Sequence, residues 1–361
     1  MTRKKLVAAL AALMMTGGSL LPSVASACTR AVYVGKDGTV ITGRNMDWVE
    51  DMQTDLWVFP RGMERSGNAG PNSPTWTAKY GSVIASGYNI ASADGMNEKG
   101  LVTNLLYLAE ADYGNDSDEP PMTVGTWAQY VLDNFATVAE TVEAMETMPL
   151  HIVAPKLPNG SAATLHLSVS DPSGDSAIFE YLNGELVVHH GKDYTVMTNS
   201  PTYDKQLALT AYWDNIGGNA FLPGTVTAAD RFVRTSFLLG AMKKETDKNI
   251  IAAVPDQSYA NQAVGQTLSL MRGVSVPLGI STPDKPNIAS TLWRTAADQT
   301  NLVYYFDSAT TPNTFWVDFS DLDFSEGASP KKLPIAGGKY YAGNAAGHFV
   351  EAKPFEFMSV K

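Results

Sequence analysis

The chain contains a single cysteine, Cys28, set in the stretch SVASACTRAVYV. Cleavage after Ala27 would place a free α-amine on the residue that carries the thiol, so nucleophile and base would share one residue. Such an amine, with an ordinary pKa of about 7.7 to 8.0, can accept the proton of a thiol whose ordinary pKa is about 8.5. Two more chemical residues follow in TRAVYVGKDGTVITGRNMDW, which reads as two alternating β-runs joined at Asp37-Gly38, a strong hairpin signal. A two-residue turn there sets Cys28 opposite Asp47 and Arg30 opposite Asn45, with Arg44 within one or two pair positions of the thiol. Arg44 would favour the thiolate by its charge, and Asp47 could orient the amine. An ordinary cross-strand ion pair is the competing account of both. What separates them from it is that the hairpin carries both to the end where Cys28 lies.

Three accounts compete for the thiol itself: an inert buried side chain, a lipid carrier and a nucleophile. The first residue of a mature chain is normally exposed and poorly packed, which tells against inertness. A lipidation signal asks for a leucine-like residue three before the cysteine, where Ala25 stands. The preceding segment has a basic start at Arg3, Lys4 and Lys5, an apolar run from Leu6 to Met15, then Gly17, Gly18 and Pro22 before Ala25-Ser26-Ala27. These features read as a secretory signal peptide over residues 1–27, too short and too soon broken to span a membrane. The expected location is periplasmic or secreted. Removing the leader takes away three cations and no anion, so the net charge deepens from −11 to −14. So acidic a chain argues against nucleic acid or anionic lipid as a partner. With one cysteine it has no internal disulfide, and its 44% hydrophobic content must supply the core.

Beyond the hairpin, a loop-like, tryptophan-bearing region (Trp48, Trp57, Trp76) precedes expected strands at Tyr80 to Ser86 and Leu101 to Leu108, separated by a turn over Asp94 to Gly100. Helical spacing marks Thr123 to Phe135, and Thr137-Val138-Ala139-Glu140 is a capping box opening a second helix to Met148. Strands follow near Thr164 to Ser168, Ser176 to Tyr181, Glu185 to His190 and Tyr194 to Thr198. Helices cover Ala228 to Met242 and Gln257 to Arg272, and strands return at Ser290 to Thr295, Leu302 to Phe306 and Phe315 to Phe319. No repeat, linker or shift in composition divides residues 28–361, which read as one domain. Hairpin-joined strands alternating with helix pairs favour an α+β fold of antiparallel sheets covered by helices: two stacked sheets between two helical layers.

CTR at the new N-terminus, GRNMDW at Gly43 to Trp48, DGMNEKGL at Asp94 to Leu101, MTNSPTYDKQL at Met197 to Leu207 and LPG...ADRFVR at Leu222 to Arg234 together resemble the choloylglycine hydrolase family. This family of N-terminal-nucleophile hydrolases includes penicillin V acylases and conjugated bile acid hydrolases. The resemblance implies a four-layer αββα sandwich and a cofactor-free amidase acting on small acyl amides. It matches Cys28 to the nucleophile, Arg44 and Asp47 to residues assisting it, Asn199 to an oxyanion-stabilising side chain and Arg231 to a further active-site arginine. Tyr107 falls where many bile salt hydrolases carry asparagine and penicillin V acylases an aromatic residue. The 31 residues between Asn199 and Arg231 are fewer than in Gram-positive relatives, whose longer excursion helps build a tetramer, so a homo-oligomer of that kind is in question.

Taken alone, Asn199 is equally well a turn-capping residue before Pro201, and Arg231 a solvated helix charge between Asp230 and Arg234. Trp48 and Tyr107 suit a flat aromatic acyl group better than a steroid. The expected function is hydrolysis of the penicillin V side-chain amide, with long-chain acyl-homoserine lactones as plausible natural substrates. The alternatives are a conjugated bile acid hydrolase and a lipid-anchored binding protein with acylated Cys28. No metal site is expected: His189 and His190 are adjacent on a strand and point to opposite faces, and His151, His166 and His348 are scattered.

Overall fold

The first hairpin forms, with β1 (Thr29–Val34) antiparallel to β2 (Val40–Trp48). Its turn has three residues, not two: Gly35 N donates to Thr39 O at 2.8 Å, and Gly38 sits at φ +89°, a left-handed position natural to glycine. The extra residue moves the register by one, so Arg30 pairs with Arg44 rather than Asn45, and Thr29 pairs with Asn45. Cys28 is therefore level with Met46, not Asp47, and its Sγ lies 3.9 Å from Met46 Sδ.

The computed structural model describes residues 28–115, 117–217, 221–283 and 288–360; the expected leader lies outside them. Two sheets stack through these residues. One runs in the order β14 (Val196–Met197), β1, β2, β15 (Ser290–Asp298), β16 (Val303–Ser308), β17 (Thr314–Asp318) and β19 (Gly343–Asn344). The other runs β13 (Glu185–His190), β12 (Ser176–Leu182), β11 (Leu165–Ser170), β8 (Val102–Tyr107), β7 (Ala91–Asn97), β6 (Ser82–Gly87), β3 (Leu56–Phe59), β18 (Lys331–Leu333) and β20 (Val350–Glu351). Both are antiparallel except where β17 meets β19. Short pairs β4 (Glu64–Ser66) with β5 (Thr75–Thr77), and β9 (Pro121–Thr123) with β10 (His151–Val153), flank them.

Helices α1 (Val124–Asn134) and α2 (Val138–Thr147) cover the outside of the second sheet. The expected capping box is present: Glu140 N donates to Thr137 Oγ1, and Thr137 N to Glu140 Oε2. On the first sheet lie α4 (Ala228–Ala241) and α5 (Tyr259–Gly273), with α3 (Tyr203–Ile216) packed against α4. Helix α5 comes so close to β2 that a Cβ on Gly43 would meet Met271 Cγ at 2.8 Å. The result is the expected αββα sandwich, its main core lying between the sheets and beneath the helices of the first.

Three expectations need correction. Asp94 to Asn97 are not turn residues but the buried end of β7; the turn proper is confined to Glu98, Lys99 and Gly100. The tryptophan-bearing region is strand in part, with Trp57 in β3 stacked on Phe59 and edge-on to Phe355. Helix α3 was not expected, because YDKQLALTAYWDNI buries only Tyr203 and Gln206 and shows no one-sided apolar stripe.

Candidate active site

Cys28 is 2% exposed at the mouth of β1. Asp47 N donates to its Sγ at 3.5 Å, and Arg44 Nη2 stands 4.0 Å away. Burial pushes the thiol above its ordinary pKa, opposed by Arg44 and more weakly by Arg231, while Asp47 pushes the same way as burial.

Arg44 reaches across the gap between the sheets. Nη2 donates to Leu105 O at 2.8 Å and Nη1 to Ala93 O at 3.3 Å, and the guanidinium lies 4.9 Å above the Trp293 ring. Its counter-charge is Asp94, at 3.6 Å. Asp94 in turn accepts from Asn104 Nδ2 at 2.7 Å, from Thr295 Oγ1 at 3.3 Å and from the Tyr304 hydroxyl. Burial raises the Asp94 pKa, and Arg44 opposes it most strongly. This backing network is what sequence reasoning missed. In sequence Asp94 lies in a motif that reads as a turn; the polar alternation of β7 is the signal that marks it as strand.

Arg231 enters from the opposite side, from the first turn of α4. Nη1 donates to Cys28 O at 2.7 Å and to Thr29 Oγ1, Nε to Val226 O at 3.0 Å, and Nη2 to Asn199 Oδ1 at 3.1 Å. It is fully buried, not a solvated helix charge, and burial lowers its pKa. Asn199 spends one amide hydrogen on Tyr107 O at 2.7 Å, leaving the other for a ligand. Gln206, on α3, donates to Asn199 O and so fixes the loop. His166 does the same one residue earlier: Nε2 meets Thr198 O at 2.9 Å and Nδ1 meets Glu180 at 3.0 Å. Its role is structural.

Asp47 completes the cluster. Its carboxylate lies 3.9 Å from Arg231 Nη1, is fully buried, and receives no hydrogen bond on either oxygen among the described residues. Burial lifts its pKa to about 6 against the pull of Arg231 and of the nearby Thr291 hydroxyl, which makes no hydrogen bond of ordinary geometry to it. An acid left this way is short of a donor.

A cavity of about 60 Å³ opens onto Cys28, walled by Trp48, Tyr107, Tyr88, Met46 and Met52. Trp48 and Tyr107 meet at 6.2 Å between ring centres, and Trp48 Nε1 donates to the Tyr88 hydroxyl at 2.7 Å. All seven residues singled out from the sequence therefore converge here, five around the thiol and two in the apolar wall. Neither histidine of the adjacent pair does: His190 faces Asp175 and His189 packs on Tyr203.

Two stacked antiparallel sheets between helical layers are the architecture of the N-terminal-nucleophile hydrolases, and the class of protein is an amide hydrolase of that fold. Residues 28–331 match the linear amide C-N hydrolases, choloylglycine hydrolase family, and the chain belongs to that family. It is 47% identical to a penicillin V acylase of Pectobacterium atrosepticum, over 99% of this chain and 98% of that one. A solved penicillin V acylase from Agrobacterium tumefaciens superimposes with a TM-score of 0.83 at 52% identity, covering 92% of this chain and all of the other. A bile salt hydrolase/transferase of Clostridium perfringens is 31% identical over 62% of this chain and 75% of its own length.

Proposed function

We propose that the protein is an exported amidase whose mature N-terminal Cys28 cleaves the side-chain amide of penicillin V and leaves the β-lactam ring intact. The observation that carries the cysteine mechanism is the buried Asp47 carboxylate without a donor. A free α-ammonium on Cys28, whose carbonyl Arg231 already grips, would supply the hydrogen-bond donor that Asp47 lacks beside its 3.9 Å ion pair with Arg231. In the neutral form that amine takes the thiol proton as Sγ attacks the substrate carbonyl. The spare Asn199 hydrogen faces the developing oxyanion, the amine passes its proton to the leaving nitrogen, and water then releases the acyl group as a carboxylic acid. Arg44 supplies positive charge as the sulfur becomes anionic.

The substrate reading rests on the two penicillin V acylase relatives and on the cavity. About 60 Å³ between aromatic walls must widen even for a flat phenoxyacetyl group and is far from the size of a steroid nucleus. Long-chain acyl-homoserine lactones present the same acyl amide beside a small ring and are the proposed natural substrates. Primary-amine release from penicillin V and glycocholate at equal concentration tests this. Faster release from penicillin V supports the acylase reading, and faster release from glycocholate replaces it with a bile acid hydrolase. Intact mass of the secreted protein tests export: a chain starting at unmodified Cys28 is expected, and a diacylglyceryl adduct would overturn the nucleophile assignment.

A further inference from the structure

A second cavity, of about 420 Å³, lies between the β14–β1 edge of the first sheet and helices α3 and α4, away from the Cys28 cavity. Its floor is apolar, made by Val34, Val196, Leu207, Phe232 and Leu239. Its charged groups are Lys192, Lys244 and a single carboxylate, Asp193. Lys192 already donates to Ser173 O at 2.8 Å. Lys244 has no acidic partner among the described residues; its neighbours differ, since Lys243 pairs with Asp247 and Glu245 with Lys36. Instead the Lys244 ammonium stands 4.0 Å over the Tyr33 ring, and burial alone pulls its pKa down to about 8. A half-buried cation with no anion is under-solvated, and an incoming carboxylate would relieve it.

We propose that this cavity binds a fatty carboxylate of medium chain length, with the alkyl chain along Val196, Leu207 and Leu239 and the carboxylate on Lys244. Volume and chemistry agree: the space is in the range of small-molecule sites, and an apolar floor with a few convergent polar groups is how such sites fix an amphipathic ligand. The site is independent of Cys28 and of any activity assigned to it.

Isothermal titration of the mature protein with decanoate, decanol and decyltrimethylammonium, all below their aggregation concentrations, tests the proposal. Saturable one-to-one binding is expected for decanoate, weaker binding for decanol and none for the cation. Gly240 is an exposed residue at the cavity, and a Cβ there meets nothing within 4 Å, so Gly240→Leu adds bulk at the cavity without a clash at its first side-chain atom. It should abolish decanoate binding while leaving thermal unfolding unimpaired. Lys244→Met should weaken decanoate about fivefold, the scale of a partly exposed ion pair, and leave decanol unchanged. Undiminished binding in Gly240→Leu would put the ligand elsewhere and overturn the site. Equal affinity for decanoate and decanol, or indifference to Lys244→Met, would overturn the carboxylate class.

Discussion

The Asp47 carboxylate, which accepts no hydrogen bond among the described residues, makes a prediction that separates a chain extended before Cys28 from one that begins there. In a chain expressed from Ser26, the Cys28 nitrogen stays an amide and Asp47 keeps its raised pKa of about 6, against an ordinary value of 3.8. A carboxyl whose folded pKa lies above its unfolded one binds its proton more tightly in the folded state. Stability is then lost as pH rises from about 4 through about 6. The two values differ by an amount equal to about 3 kcal/mol once pH is well above both, a full-sized effect because the group is wholly buried. Asp47→Asn carries no charge and escapes this cost. Urea unfolding of the Ser26-start chain should therefore show the Asn variant gaining about 3 kcal/mol on the wild type between pH 4 and pH 8. With the proposed α-ammonium of a chain that begins at Cys28 paired to Asp47, the same substitution should become destabilising at pH 7. A pH-independent difference in the Ser26-start chain would refute the desolvated-acid argument. Identical behaviour of the two chains would refute the claim that Asp47 awaits the amine.

Cys28→Ala should remove all penicillin V turnover while leaving the near-ultraviolet circular dichroism unchanged; residual activity of the same order would refute the nucleophile. Asn199→Ala should lower kcat by about 10²- to 10³-fold if its spare hydrogen serves the oxyanion, as seen in steady-state kinetics. Tyr304→Phe removes a hydroxyl that donates to buried Asp94 and should cost about 1.5–3 kcal/mol in urea unfolding. Gly43→Ala drives a methyl into Met271 and Thr267 of α5 and should cost about 1–3 kcal/mol by the same measurement.

Much of this was legible in the sequence because the signals were local. The capping box at Thr137, the alternation of the paired strands and the spacing of α1 and α5 each follow from neighbours a few residues apart. The residues around Cys28 could be found because the hairpin ties residues 28 and 47 together and the five motifs mark the rest. What escaped depended on distant contacts. Helix α3 is held by the loop at Asn199 through Gln206, not by an apolar face of its own. Asp94 reads as a turn residue until β6 and β8 close on either side of it and Arg44 arrives from the other sheet. Arg231 reads as a surface charge until its helix is laid on β1.

The one-residue error in register shows how much of the site hangs on a turn. Residues paired across two strands share a face of the sheet, and successive residues alternate. With the observed three-residue turn, Cys28, Arg30, Arg44 and Met46 fall on the face toward the second sheet, where Arg30 bonds Ser176 and Arg44 bonds Leu105. Thr29, Gly43, Asn45 and Asp47 fall on the face toward the helices, where Asn45 bonds Met271 and Thr29 meets Arg231. A two-residue turn would have put Asp47 beside the thiol and turned Arg44 away from it. The left-handed Gly38 thus decides that the sulfur has a guanidinium on its own face, while the backbone end of the same residue is left to Asp47 and Arg231 on the other. Thiol and amine need opposite charges beside them, and the strand separates the two by presenting one residue to two layers.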